Sequence, residues 1–500
     1  MAGFVVLGVA AFLVRIAAVA LLWSSSPDGP TTYEHGAIAE NLLAGKGFSV
    51  WYLGSEGPTS QQAPLYPFAL AGLYALFGLH SSAALLVMQL LQCAAGAGVA
   101  LLTAAAARRF VPEARSVGWA AGWIAALYPP HIYAATHIQV VVWATLALAA
   151  LVFLVARPAQ APTRGRVLLL GTLSGALLLI EPILALALPL IALRFFQQAV
   201  SRDEASEASD ARPVGYALAL RQTVAFASVA ALVVAPWIVR NAIVHGEFVF
   251  VKSSFGYAFW QGNNPQSWGT DKIPKASATQ IAATHDGSLA GQNAALWNAR
   301  HETLYIDDVL LKPTGYAEFQ GLTEPQRSRL LGDRAWAFIA DRPEEYLRLC
   351  GQRASYFLLF DKTNPKASHK LYQWSTITWF TLSTIGLALA ITGPLARRLW
   401  LTYAIFGAVT LFHVLTITSA RFRIPIEPLS FVWAGLAIGP LVARWLPELN
   451  LSAEAPAETT RREVAGLSPA HDSLQGPHVR PHVPARRRAA VPARAKRRAG

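Results

Sequence analysis

Charge is scarce in this sequence: Asp, Glu, Lys and Arg make up only 14% of its 500 residues, against 54% hydrophobic. That ratio excludes a soluble multidomain protein, because the apolar residues come in blocks long enough to need lipid around them. Cysteine is nearly absent. Cys93 lies inside an apolar block and Cys350 far away in a polar one, which excludes a disulfide framework. Nucleotide chemistry has no foothold, since there is no Walker loop, no dinucleotide glycine pattern and no Gly-x-Ser-x-Gly elbow. His35, His131 and His137 fit no compact ligand spacing such as His-Glu-x-x-His, so no metal and no other cofactor is expected. No repeat of period 20 to 50 and no paired halves of the transporter kind are visible.

What is present is a series of apolar segments, at 4–23, 82–103, 117–130, 137–156, 167–180, 183–196, 222–239, 373–393, 399–418 and 424–442. Several fall short of the ~20 residues of a perpendicular span, which implies a thinned or partly buried bundle. The first contains Arg15 and has no basic flank, so it reads as a retained helix and not a signal peptide. Residues 64–79 are apolar as well, and the basic residues decide their place. If 64–79 lies at the interface and the N-terminus is cytoplasmic, then Arg108, Arg109, Arg115, Arg164, Arg166, Arg397 and Arg398 all fall on the cytoplasmic side, as the positive-inside rule asks. The sequence therefore predicts an all-α polytopic membrane protein of ten spans, with both ends inside and Tyr33 to Leu79 outside.

The same count divides the chain. Residues 1–239 form an N-terminal transmembrane module with a first outer loop at 24–81, 240–372 an extracytoplasmic α-rich block, 373–445 the C-terminal spans and 446–500 a cytoplasmic tail. Ten basic residues follow Leu451, which explains much of the formal charge of +13. The tail is rich in Pro and Ala and has no hydrophobic period, so it reads as a disordered segment near anionic headgroups, not as a nucleic-acid binder. Within the outer block, Ser253 to Pro265 reads as irregular loop. Thr323 is a plausible N-cap before Glu324-Pro325, and a second helix follows Arg342-Pro343; both helices are expected along the outer membrane surface.

The candidate chemistry gathers in the first outer loop. Glu34 stands about a turn and a half beyond the first span, where partial desolvation would suit a carboxylate to take a proton from a hydroxyl. It reads equally as a first-turn acid that favours the helix dipole. Asp28 and Glu181 are further acids of the same kind, Glu181 at a Pro-bounded turn in an apolar setting. Arg240, Arg421 and Arg423 sit at outer span ends against the charge rule, where they would either snorkel to headgroups or grip a phosphate. Tyr66, in Pro64-Leu65-Tyr66-Pro67, opens the interfacial helix and would line a cleft above Glu34.

These stretches carry a resemblance. Tyr33-Glu34-x-Gly36-x-Ile38-Ala39-x-x-Leu42-x-x-Gly45-x-Gly47-Phe48-Ser49, Gly57-Pro58-Thr59, Ala63-Pro64-Leu65-Tyr66-Pro67, Trp237-x-x-Arg240-Asn241, Gly256-x-x-x-Trp260-x-Gly262-Asn263, Ala337-Phe338-Ile339-x-x-Arg342-Pro343 and Arg421-Phe422-Arg423-x-Pro425 run in an order that resembles bacterial glycosyltransferases of the GT-C class. More narrowly, it resembles family 39 and the protein O-mannosyltransferase or aminoarabinose-transferase-like enzymes. The resemblance implies a polyprenyl-phosphate-linked sugar donor, a glycan, lipid or protein acceptor, and transfer on the outer face of the cytoplasmic membrane. It also implies a catalytic carboxylate in the first outer loop, at Glu34, with Trp260 and Asn263 covering the sugar. Gln61-Gln62 stands where some relatives have Glu-Lys. The rival class is a transporter or flippase of lipid-linked saccharide, which the spans and outer arginines would also serve.

Overall fold

The structure, a computed structural model, describes residues 2–25, 30–156, 163–204 and 212–445. Asp28 and the tail at 446–500 lie outside the described residues. All ten expected apolar segments are helical. Seven helical stretches are long and apolar enough to cross a membrane: α1 (Ala2–Leu22), then, after α2 (Tyr33–Leu43) and α3 (Leu65–Phe77), α4 (Ser82–Phe110), Pro182–Val200, Tyr216–His245, Lys370–Thr392, Ala396–Leu415 and Ala420–Trp445. The other three are short: α5 (Arg115–Leu127), α7 (Val141–Val155), which follows the brief α6 (Pro129–Ala134), and α8 (Arg164–Ile180). Proline sets two of these lengths. Tyr128 and Glu181 each precede a proline and are pushed into extended conformations, so α5 and α8 stop there. The chain is an all-α, multi-pass membrane protein.

The remaining helices are α9 (Leu188–Glu204), α10 (Arg212–His245), α11 (Phe255–Gly262), α12 (Ala276–Ala283), α13 (Leu289–His301), α14 (Ile306–Leu310), α15 (Glu324–Asp341), α16 (Pro343–Leu358), α17 (Lys370–Thr392), α18 (Ala396–Leu415) and α19 (Glu427–Trp445). Small residues let the spans close on one another. A Cβ on Gly171 or Gly175 of α8 would lie 2.5 Å from Val229 or Val233 of α10, and one on Gly386 of α17 only 1.7 Å from the Trp433 carbonyl of α19. One buried core runs through α4, α5, α7, α8, α9, α18 and α19.

The bundle has two unlike ends. At one, Arg108 lies over Phe4 and Trp119, Arg109 donates to the Phe153 carbonyl, Arg166 donates to the Leu154 carbonyl and Gln198, and Arg398 pairs with Glu113. At the other, loop 30–81 and the polar stretch 246–369 are tied together. Asn293 bonds the Ser25 hydroxyl, Arg240 the Phe48 and Thr59 carbonyls, and Arg423 the Phe357 carbonyl. A second core joins Ile38, Phe48 and Val50 of the loop to Phe259, Trp260 and Leu331 of the polar stretch.

The connection at 49–58 is a hairpin, β1 (Ser49–Tyr52) paired antiparallel with β2 (Ser55–Pro58); a two-residue β3 (Lys272–Ile273) pairs with β4 (Leu304–Tyr305) further on. One local expectation is corrected. Residues 255–262, read as loop from their glycines, form α11. Those glycines mark close approach and not turns: a Cβ on Gly256 would lie 1.9 Å from the Ser328 carbonyl, and one on Gly262 2.2 Å from that of Thr416. The Thr323 cap is as expected, closed by Gln326 into a capping box ahead of α15.

Candidate active site

The loop that follows α1 enters α2 under strain. Tyr33 has φ +53°, a rare conformation for a bulky residue, and its ring lies under Arg300 of α13, whose guanidinium carbon is 4.4 Å from the ring centroid and whose Nη1 donates to the phenol oxygen at 2.6 Å. Thr32 folds over Gly36 so closely that a Cβ there would lie 1.9 Å from the Thr32 Oγ1. The outcome is that consecutive side chains part. Glu34 projects into solvent, while His35 is buried with its ring 4.9 Å from that of Tyr66. Burial, then Lys252 and Arg421, push the His35 imidazole down to about 3, so it stays neutral. Its Nδ1 has no hydrogen-bond partner.

Cations collect around this point. Glu34 lies within electrostatic reach of Arg300; burial opposes the charge of that guanidinium, but Tyr33, Tyr305 and Glu34 outweigh it and hold it up. From Arg300 a wall of rings leads inward: Trp297, stacked on His137 at 5.9 Å, then Tyr133, 4.5 Å from His137, with the Lys366 ammonium 4.3 Å above it. Lys366 is half-buried. Burial, then Lys272, Arg300 and Arg421, push its pKa down to about 7. Arg421 is exposed and bonds no carboxylate among the described residues. An unneutralised group of this kind is what a phosphate would satisfy.

Acids and phenols form the opposite side. The Tyr52 hydroxyl lies near Glu324, Glu34 and Asp307, and burial foremost raises its pKa well above the ordinary value. Glu324 is already engaged: it accepts from Thr59 Oγ1 at 2.6 Å, Ser60 N–H at 2.7 Å and Ser253 Oγ at 2.5 Å, fastening loop 30–81 to α15. Among the described residues, no three His, Cys, Asp or Glu side chains converge on a point where a metal could sit.

The structure thus places Glu34 within electrostatic reach of Arg300, and Arg421 within reach of His35 and Lys366, and engages most other candidates elsewhere. Arg240 bonds the carbonyls of Phe48 and Thr59 and the side chains of Ser60 and Asn241, above the Trp237 ring. Arg423 is 1% exposed, paired with Glu427 at 2.6 Å, and Glu427 in turn meets His131 at 2.9 Å. Asn263 is fully buried, donating to the Phe259 and Thr416 carbonyls and accepting from Arg353. Trp260 packs in the core, and the Tyr66 hydroxyl donates to Gln92 at 2.8 Å. Arg240, Arg423, Asn263 and Trp260, expected to hold phosphate or cover a sugar, are thus engaged within the fold. Glu181 caps the end of α8 and makes no contact with the recess residues named above. Sequence reading missed Arg300 and Lys366. Neither sits in a motif, and the aromatic neighbours Trp297 and Tyr133 that flank them come from segments far apart in the chain.

No protein-family model matches the chain, and no curated protein matches it in sequence. Among solved structures, it is similar to the oligosaccharyltransferase of Archaeoglobus fulgidus tethered with an acceptor peptide. That match has 14% identity and a TM-score of 0.49 over 92% of this chain and 53% of the other. It is also similar to ArnT of Cupriavidus metallidurans bound to undecaprenyl phosphate, at 14% identity and a TM-score of 0.36, over 89% and 81% of the two chains. The chain spans about half the length of the oligosaccharyltransferase. Neither likeness carries an argument about the chemistry of this recess.

Proposed function

We propose that this chain is a membrane glycosyltransferase of the GT-C type, moving a sugar from a polyprenyl-phosphate donor to an acceptor hydroxyl. One observation carries the reading: a solvent-facing carboxylate, Glu34, lies within electrostatic reach of Arg300 at the end of the bundle opposite Arg108, Arg109, Arg166 and Arg398, and Arg300 and Arg421 act in turn on Lys366. By the positive-inside rule that end faces outward, which puts the reaction on the outer face of a bacterial cytoplasmic membrane. The sequence resemblance of the first loop agrees with it.

In this reading Glu34 accepts the proton of the incoming hydroxyl as its oxygen bonds the anomeric carbon. The bond from that carbon to the phosphate oxygen breaks, and the polyprenyl phosphate departs with the electron pair. Its added negative charge falls among Lys366, Arg421 and Arg300, which offset it more strongly in a confined recess than in water. No nucleotide enters the step, because the donor already carries its leaving group.

The test is sugar release from polyprenyl-phosphate hexose or pentose by wild type and Glu34→Gln at matched expression. Glu34→Gln should lose about 10²- to 10⁴-fold in turnover and keep donor binding. Equal turnover in the two would remove Glu34 from the mechanism. Binding without release by wild type across a donor panel would favour a flippase.

A further inference from the structure

The hairpin β1–β2 carries a buried hydroxyl with nothing to bond. Its tip is fixed from several sides. A Cβ on Gly54 (φ +90°) would lie 2.5 Å from that of Tyr316, the Trp51 ring meets the Tyr316 ring at 5.3 Å, and Arg327 of α15 donates to the Leu53 carbonyl at 3.1 Å and to the Ser55 hydroxyl. Leu53 is held at φ +47°, a conformation that costs a non-glycine residue energy. The turn so formed points Tyr52 inward, 6% exposed, with its ring perpendicular to that of Tyr257 at 5.7 Å.

The Tyr52 hydroxyl has no hydrogen-bond partner, although an orphaned buried hydroxyl costs about 1 to 3 kcal/mol. Two half-buried groups stand nearby. The Tyr257 oxygen accepts from Gln261 Nε2 at 2.8 Å, which leaves the phenol proton itself to be placed. Asp307 makes no hydrogen bond or ion pair with another side chain among the described residues; its neighbour Asp308 takes Lys312 instead. Burial first, and then Asp308 and Asp271, raise the Asp307 carboxyl above its ordinary value, so it gains from any donor that reaches it.

We propose that Tyr52, Tyr257 and Asp307 form the subsite for the transferred sugar ring, and that this subsite takes an uncharged polyhydroxylated sugar and rejects one bearing a carboxylate. The inference rests on the glycosyltransferase reading and deepens it. Two phenol protons need acceptors and a carboxylate needs donors, yet the three do not bond one another. A pair of sugar hydroxyls is donor and acceptor at once and answers all three. A carboxylate on the sugar would instead face Asp307, Glu34 and Glu324, and like charges in a confined site repel.

Binding tests this without needing turnover. The probes are polyprenyl-phosphate-linked glucose, the corresponding glucuronate, and polyprenyl methyl phosphate, a diester with the same phosphate charge and no sugar. Wild type should bind the glucose lipid about tenfold more tightly than the methyl diester, the share expected of a few hydrogen bonds, and the glucuronate no better than the methyl diester. Tyr52→Phe and Asp307→Asn should each remove most of the preference for glucose while leaving the methyl diester affinity unchanged and without lowering thermal stability, which Tyr52→Phe should raise by removing the orphaned hydroxyl, and Asp307→Asn should narrow the penalty on glucuronate. No preference in wild type, or a preference intact in both variants, overturns the subsite. Turnover is scored separately. Glucose-lipid binding without release by wild type sinks the transferase reading and not the subsite, whereas release with unchanged kcat/KM in both variants sinks the subsite and not the transferase.

Discussion

Affinity for a lipid-linked sugar phosphate should fall as pH rises through 7, with Lys366 as the cause. Burial and the facing cations Lys272, Arg300 and Arg421 push its ammonium group down to about 7 in the free protein, and a bound phosphate would reverse that bias. The sign follows from linkage. The anion prefers the protonated form, so binding takes up a proton wherever the free protein has lost it, and affinity declines with pH above about 7. Roughly nine-tenths of the free protein is protonated at pH 6 and roughly one-tenth at pH 8, so affinity should fall about tenfold between them. The probe must be a phosphodiester, because a free phosphomonoester has its own pKa near 6. Lys272 stays charged despite burial, held up by Asp271 and Asp361, and the arginines do not titrate here. Lys366→Arg should flatten the profile and keep the affinity at pH 8, and Lys366→Met should be flat and weak. A tenfold fall surviving in both would assign the titration to another group and refute the reasoning.

Further outcomes separate structural cations from ligand-facing ones. Glu427→Gln leaves Arg423 buried against an uncharged partner and should destabilise the protein by about 3 to 5 kcal/mol, read as a lowered unfolding temperature in detergent. Arg240→Lys replaces a fork that bridges the Phe48 and Thr59 carbonyls; loop 24–81 should become protease-sensitive while affinity for polyprenyl methyl phosphate stays unchanged. Arg421→Gln should do the opposite, weakening that affinity several-fold at unchanged stability, because this exposed side chain anchors no part of the fold.

The helical plan was legible because apolar runs of this length have few other solutions, and all ten segments are helices. The motifs around Gly36 and Gly256 to Asn263 were legible as motifs but not as physics. Gly256 looked like a turn residue, whereas its real constraint is the Ser328 carbonyl 72 residues away, which no local pattern encodes. The Tyr33 conformation was invisible for the same reason: the partner its ring meets, Arg300, lies 267 residues away. Lys366 was hidden by its surroundings in sequence, Asn-Pro-Lys-Ala-Ser, which read as an ordinary polar turn. Its perturbation comes first from burial and then from three cations on three other segments.

Arginines within or beside apolar segments invite a ligand, and here the fold gives most of them another task. A helix leaves its last carbonyls unbonded, and inside a membrane protein there is no water to satisfy them. Short helices multiply such ends. Arg15, in the middle of α1, donates at 3.0 Å to the carbonyls of Ala125 and Ala126, in the last turn of the 13-residue α5. Arg109 takes Phe153 and Arg166 takes Leu154, both in the last turn of the 15-residue α7. Arg353 takes Gly262 at the end of α11 and Val414 near the end of α18, and Arg423 takes Phe357 near the end of α16. Each guanidinium also meets the negative end of a helix dipole, which favours its charge. Lysine, with a single point of attachment, could not span two carbonyls as Arg15 and Arg353 do. Seen this way, Arg421 is the informative exception: of Arg240, Arg421 and Arg423 it is the one that bonds no carbonyl among the described residues, and its charge acts on Lys366 and His35.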